Sequence, residues 1–430
     1  MSKPRLHWIS PLPPAQTDIA HYTKRILPDL CREADVTLWT DAASWDAGLE
    51  QYCSVRRFEP ESLLPRLLHA QRSGAPGSIF AHIGNSWVFH SAILQLVLRM
   101  PAVIVLHDLA LQEMYLGSIE AGRLDPETYR KGMREAYGEE GWFKSAHALS
   151  DDTNRVELSQ AMPLFSLCLS RAQAVVTHTR ATSRAVRKSC AVPVYDLELS
   201  CPSSSQASAE RAGSGPIRLV QFGHTGPNRR LEQVLEALAE VQETLDFTFD
   251  IIGNLWDTAA IRRKRDAVGL TDRVFLHGHM PESVLNFALS RAHLVFNLRY
   301  PTMGEASGSQ LRIWHAAAGS VVTDHGWYGD LPDDTVFKIP HESEKTALIE
   351  LLTCLGSDRT IGRTKGQNGS VRLETLHAPD SYAAAIADIA RNNVADAHHH
   401  ALMTASNRLL DRFPATPRKL VRDRLAALMS

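Results

Sequence analysis

The sequence predicts an α/β protein built from two doubly wound, Rossmann-like domains, each a parallel sheet covered by helices, facing each other across a cleft. Three observations lead there. The chain has 430 residues, too many for one ordinary core and suited to two domains of about 200 residues each. In both halves short apolar runs alternate with segments of helical length, the rhythm of parallel sheets buried on both faces. Between the halves, CPSSSQASAERAGSGP (residues 201–216) holds five Ser, two Gly and two Pro. No core can be built from that composition, so it reads as an exposed connection. The expected division is a first domain at 1–200, a linker at 201–216, a second domain at 217–395 and a helical segment at 396–430.

The elements follow in order. Arg5 to Ile9 reads as a strand ended by Pro11, Pro13 and Pro14; Ile19 to Leu30 has helical spacing, and Asp35 to Trp39 is a second strand. Ser78 to Ile83 and Ala102 to Leu106 are apolar runs bounded by turn residues, with an apolar helix from Val88 to Arg99 between them. Residues 116–160 are polar and helical in composition, and Ala174 to Thr177 is a strand. After the linker come strands at Ile217–Phe222, Phe249–Ile252, Val274–Leu276, Leu294–Leu298, Val321–Thr323 and Val336–Ile339. Helices at Leu231–Val241, Ile261–Ala267, Val284–Leu289 and after Ser307 are interleaved with them. The chain end, Leu409 to Met429, is expected to be a helix that packs back on the first domain; the weaker alternative rests it on an anionic membrane surface. The run His398–His400 reads as a solvated turn.

Composition narrows the function. Hydrophobic residues make up 44% and charged residues 22%, with a net charge of −2. Nucleic acid as a partner is excluded on charge, since it requires a basic face. The six cysteines show no paired spacing and read as reduced thiols. The start of the chain lacks the apolar core of a signal peptide, and no run reaches the ~20 residues needed to span a bilayer. A cytoplasmic location follows by default. There is no DxD, HExxH, CxxC or GxSxG, so metal-dependent and serine hydrolase chemistry have no foothold.

Ligands of doubly wound sheets bind beyond the carboxyl ends of the strands, so residues there carry the argument. After the Leu294–Leu298 strand, a loop brings Glu305, and Ser307-Gly308-Ser309 opens a helix. A helix start offers free N–H groups and a positive end to an anion. A carboxylate beside that nest repels phosphate and suits the hydroxyls of a neutral group attached to it, as in a sugar diphosphate. The same residues also suit a capped helix with Glu305 solvated. After the Ile217–Phe222 strand come Gly223, His224, Arg229 and Arg230. Glycine allows close backbone approach and Arg neutralises phosphate bidentately, although an exposed Arg pair is an equal reading. The spacing is neither GxGxxG nor GxxxxGK[ST]. In the first half, the Ala102–Leu106 strand ends in His107-Asp108, and the loop after the first strand carries Thr17 and Asp18, either of which makes a good N-cap.

Together, in this order, these pieces resemble retaining GT-B glycosyltransferases of the glycosyltransferase family 4 type over most of the chain. PPAQTDIAHY (13–22) is similar to the family's P-x-x-G-G-I-A-x-Y loop, AVIVLHD (102–108) to its strand ending in His, and QFGHTGPNRRLEQVLEALAEV (221–241) to its G-R-L-x-x-x-K-G segment. GEASGSQLRIWHAAAGSVVTDHGWYGDLP (304–332) is similar to its E-x7-E region. The resemblance implies transfer of a sugar from a nucleotide-sugar donor to a glycan, lipid-linked or small-molecule acceptor, with retention and with neither metal nor cofactor. It implies that Arg229 and the N–H groups of 307–309 offset leaving-group charge, with Gly223, His224 and Arg230 also on the donor side. Glu305 is implied to hold sugar hydroxyls, and His107 to position the sugar or acceptor. Thr17, Asp18 and Asp108 fall on the acceptor side. Three departures stand out: Asp18 replaces a Gly, His224 replaces an Arg, and Ile313 replaces the second Glu, which binds the ribose. They leave open a catalytically weak member acting as a partner subunit or binding module.

Overall fold

The computed structural model describes residues 2–72, 77–150, 154–202 and 215–393. Seven strands form the first sheet: β1 (Arg5–Ile9), β2 (Asp35–Thr40), β3 (Ser54–Arg57), β4 (Ser78–Ile83), β5 (Ala102–Leu106), β6 (Ala172–Thr177) and β7 (Val194–Asp196). Six form the second: β8 (Ile217–Phe222), β9 (Phe247–Ile252), β10 (Val274–Gly278), β11 (Leu294–Phe296), β12 (Gly319–Thr323) and β13 (Phe337–Ile339). The orders are β3-β2-β1-β4-β5-β6-β7 and β10-β9-β8-β11-β12-β13. Every pairing is parallel; β1 lies between β2 and β4, and β8 between β9 and β11. Strand order therefore reverses direction at β1/β4 in one sheet and at β8/β11 in the other, and crevices open at such switch points.

The central strands form because their apolar runs can be buried on both faces. β4 and β5 are buried at every residue. The edge strands β3 (SVRR) and β7 (VYD) carry no such run, so the sequence gives them no strand signal. The polar stretch expected to be helical resolves into helices Gln112–Glu120, Pro126–Leu149 and Arg155–Ala161. The middle one is broken at Gly138. Helices Pro60–Arg72, Arg180–Ser189, Glu344–Ser357 and Ile361–Leu376 are present besides those expected from the sequence.

The chain returns to the first lobe earlier than the sequence suggested. Residues 379–393 are helical, and Tyr382, Ile386, Ile389 and Ala390 share a core with Leu6, Trp8, Tyr22, Val103 and Val176. Ser78 Oγ donates to the Ala390 carbonyl at 2.9 Å, and Asn393 Nδ2 to Gln173 Oε1 at 3.3 Å. Leu311 and Trp314 of the second lobe join the same core. The helix expected at 409–429 and the His398–His400 turn lie outside the described residues, as does 203–214 of the linker.

The lobes also meet through backbone. The N–H groups of Leu109 and Ala110 donate to the Met303 carbonyl at 2.8 and 3.0 Å. Gln160 Nε2 donates to the Thr302 carbonyl at 2.7 Å, and Thr182 Oγ1 to the Gly304 carbonyl at 2.9 Å. Gly304 has φ 83°, and a Cβ there would lie 2.5 Å from Cβ of Leu109. Only glycine allows that approach.

Candidate functional site

Two adjoining cavities open where the carboxyl ends of the two sheets face each other. The larger, about 510 Å³, lies over the second sheet and is lined by Gly223, His224, Arg229, Asn254, Glu282 and Ser309 among others. The smaller, about 200 Å³, lies against the first sheet and is lined by His107, Asp108, His178, Ser200, Glu305 and Gly308 among others. Thr17, Asp18 and Arg299 line both. Thr17 and Asp18, expected on the acceptor side, thus border the donor side as well.

On the second lobe, Arg229 ends a tight turn, Pro227–Arg229, after β8. It is 3% exposed. Its Nη2 donates to the Phe222 carbonyl at 3.1 Å, while Nε and Nη1 have no partner among the described residues. Burial and the neighbouring Arg299 lower its pKa to about 10, which still leaves it charged near neutrality. Unpaired donors of a buried cation are costly unless something fills the space they face. Arg230, although adjacent, takes φ 57° and donates from Nε to the buried Glu344 at 2.8 Å. It lines neither cavity. The left-handed turn sends it to a structural ion pair, which corrects its expected donor-side placement.

The second cation of this wall is Arg299, on the loop after β11. Its Nη1 donates to Glu305 Oε1, and Glu305 Oε2 accepts from the Met303 N–H at 2.6 Å. Burial opposes the charge of Arg299, but Tyr328 and Glu305 outweigh it and raise its pKa. Glu305 is 8% exposed, so it is not a solvated loop residue. Each of its oxygens keeps a second lone pair for a ligand hydroxyl.

Ser307 caps the helix Gly308–His315, accepting from Gln310 N–H at 3.1 Å. Asn297, at the end of β11, donates to Ser307 Oγ at 3.3 Å and to Gln310 Oε1 at 3.0 Å, and Gln310 donates to Ser320 at 2.7 Å. This buried network fixes the helix start, whose first N–H groups have no intrahelical acceptor. Ile313, in place of the expected ribose-binding Glu, is 0% exposed and belongs to the same core cluster as Val220 and Phe222. A carboxylate is present nearby from another element: Glu282 lines the larger cavity and accepts from Arg312 at 3.0 Å.

On the first lobe, His107 and Asp108 follow β5, and His178 follows β6. His107 Nε2 and His82 Nδ1 lie 2.8 Å apart. Burial, then the neighbouring His178 and His82, keep the pKa of His107 well below its ordinary value. It is a neutral ring near pH 7, fit to position a hydroxyl and unable to act as a cation. Asp108 Oδ2 accepts from the Asn85 N–H at 2.7 Å. Burial, then the charge of Glu305, push its pKa up to about 7. His178 Nε2 and Ser200 Oγ are buried without partners among the described residues and belong to the cavity lining. The signal for His178 was the one that marked His107: a histidine directly after a central strand. Among the described residues no group of three or more His, Cys, Asp or Glu is placed to hold a metal ion. No helix of those residues is long and apolar enough to cross a membrane.

The sequence matches no protein-family model and no curated protein. Solved structures share its architecture over nearly the whole chain. Sucrose-phosphate synthase from Thermosynechococcus elongatus has a TM-score of 0.62 at 16% identity, covering 92% of this chain and 100% of that one. HepE from Anabaena, in complex with UDP and glucose, has a TM-score of 0.59 at 13% identity, covering 90% and 98%. WaaG, a glycosyltransferase involved in lipopolysaccharide biosynthesis, has a TM-score of 0.55 at 13% identity, covering 88% and 98%. Identities this low speak to fold alone. With two parallel sheets whose carboxyl edges face one cleft, this chain has the GT-B fold.

Proposed function

We propose that the protein is a glycosyltransferase that moves a sugar from a nucleotide-sugar donor to an acceptor. One observation carries the reading: the larger cavity is lined by buried Arg229, by Arg299 and by the start of the Gly308–His315 helix. Such a wall suits a diphosphate. HepE, which has the same fold, was solved with UDP and with UDP-glucose. In transfer, the bond between the sugar's anomeric carbon and the diphosphate oxygen breaks and negative charge grows on the leaving group. Donors already aimed at that charge each contribute roughly 3–4 kcal/mol to the transition state. Glu305 would take sugar hydroxyls, neutral His107 would position sugar or acceptor, and His178 and Ser200 add polar groups there.

The finer reading is a retaining, hexosyl-transferring enzyme of the glycosyltransferase family 4 type that needs neither metal nor cofactor. It would act in polysaccharide or glycoconjugate synthesis on a glycan or lipid-linked acceptor, in the cytoplasm with peripheral membrane contact. A second reading, a catalytically weak partner subunit or binding module, is supported by Ile313, which is buried in apolar core where a ribose-binding Glu was expected. Release of nucleoside diphosphate from a panel of nucleotide sugars, with and without candidate acceptors, separates the two. Release from at least one donor is expected. Binding without release would favour the second reading, and neither binding nor release would end both.

A further inference from the structure

Two helices begin opposite each other across the cleft, Asp18–Glu33 and Gly308–His315, and one carboxylate stands between them. A Cβ built on Gly308 would lie 3.6 Å from Cγ and 3.7 Å from Oδ2 of Asp18. Asp18 is the first residue of its own helix and Gly308 the first residue of the other. The carboxylate therefore sits at two positive helix ends at once. Its charge also acts on the guanidinium groups of Arg229, Arg299 and Arg312. Arg229 is 3% exposed, and its Nε and Nη1 take no partner among the described residues, Asp18 included. A cavity lined by two guanidinium groups and a helix start suits an anion. The Asp18 carboxylate brings negative charge to that place from the protein itself.

We propose that Asp18 is a built-in counter-ion of this anion seat, so that a diphosphate enters only by displacing the Asp18 carboxylate from the start of the Gly308–His315 helix. Asp18 thereby sets how much negative charge the site accepts. The proposal rests on the anion-seat part of the function proposed above and not on which nucleotide or sugar is bound. Like charges in a partly desolvated pocket repel far more strongly than in water, so the carboxylate works against phosphate for as long as it stays in place. If Asp18 served only the dipole of its own helix, its charge would leave anion binding untouched.

The test uses the full chain and the variants Asp18→Asn and Asp18→Ala, with inorganic pyrophosphate, UDP and uridine as calorimetric probes. Pyrophosphate should bind both variants about tenfold tighter or more than the parent. The gap should narrow as salt is raised, and uridine should not distinguish the three proteins. Equal or weaker pyrophosphate binding by the variants, including no binding by any protein, overturns the proposal. Asp18→Ala guards against an Asn amide holding the seat by hydrogen bonds. UDP binding no tighter than pyrophosphate in the variants would count against the nucleotide reading, while a pyrophosphate gain would still support the role of Asp18.

Discussion

Arg229 and Asp108 carry the sharpest predictions at the scale of single residues. Arg229→Lys keeps a charge but loses the planar fork. It should lower kcat/KM by a factor of about 10²–10³ with little change in melting temperature. Arg229→Ala should also lower the melting temperature, because it empties a buried site and removes the donor to the Phe222 carbonyl. Steady-state kinetics and thermal unfolding read both. Asp108 titrates near 7 in the folded protein and near 4 in an unfolded chain. Between those values the folded state holds a proton that the unfolded state has lost. Stability therefore falls as pH rises from about 4 to about 7, by up to about 4 kcal/mol, and levels off above. Asp108→Asn should flatten that slope in denaturant titrations across the range. Position after a strand end made Arg229, Glu305 and His107 legible in the sequence. Arg229 and Arg230 look alike there; only the left-handed backbone at Arg230 separates them. Arg299 carries no such signal, because the turn that brings Glu305 onto it spans six positions of irregular chain.

Loops at strand ends set the geometry at the scale of elements. The segment 302–304 is bonded to the first lobe by its own carbonyls, and this draws Glu305 toward Asp108. Gly304→Ala would force a Cβ to 2.5 Å from Leu109 Cβ at φ 83°. The expected cost is about 1–3 kcal/mol, seen as a lower denaturation midpoint, together with weaker binding of any ligand that touches both lobes. An unchanged midpoint would mean that the lobes are not held by this loop. Central strands were legible because burial on both faces demands uninterrupted apolar runs. β3, β7 and the helix Arg180–Ser189 were not. Their residues are polar enough to pass for loop, and only pairing at a sheet edge or packing against it makes them regular.

At the scale of the whole molecule, one core cluster spans both lobes while each lobe also keeps its own. Removing residues 379–430 would strip Tyr382, Ile386, Ile389 and Ala390 from their contacts with Leu6, Trp8 and Tyr22. Each large apolar side chain contributes about 1.5–3 kcal/mol by burial, so the loss approaches the whole stability of an ordinary domain. The truncated chain should be insoluble or lack a cooperative unfolding transition. A soluble, cooperatively melting product would show that the first lobe stands alone. By itself the sequence determined the two parallel sheets, because periodicity and turn residues are local and leave their mark in adjacent positions. Only the tertiary structure decided that Arg299 joins Arg229, that Asp18 points at Gly308, and that residues 379–393 cross to the first lobe. Those relations join residues far apart in the chain, and their energies come from burial and Coulomb interaction across space, which no local pattern encodes.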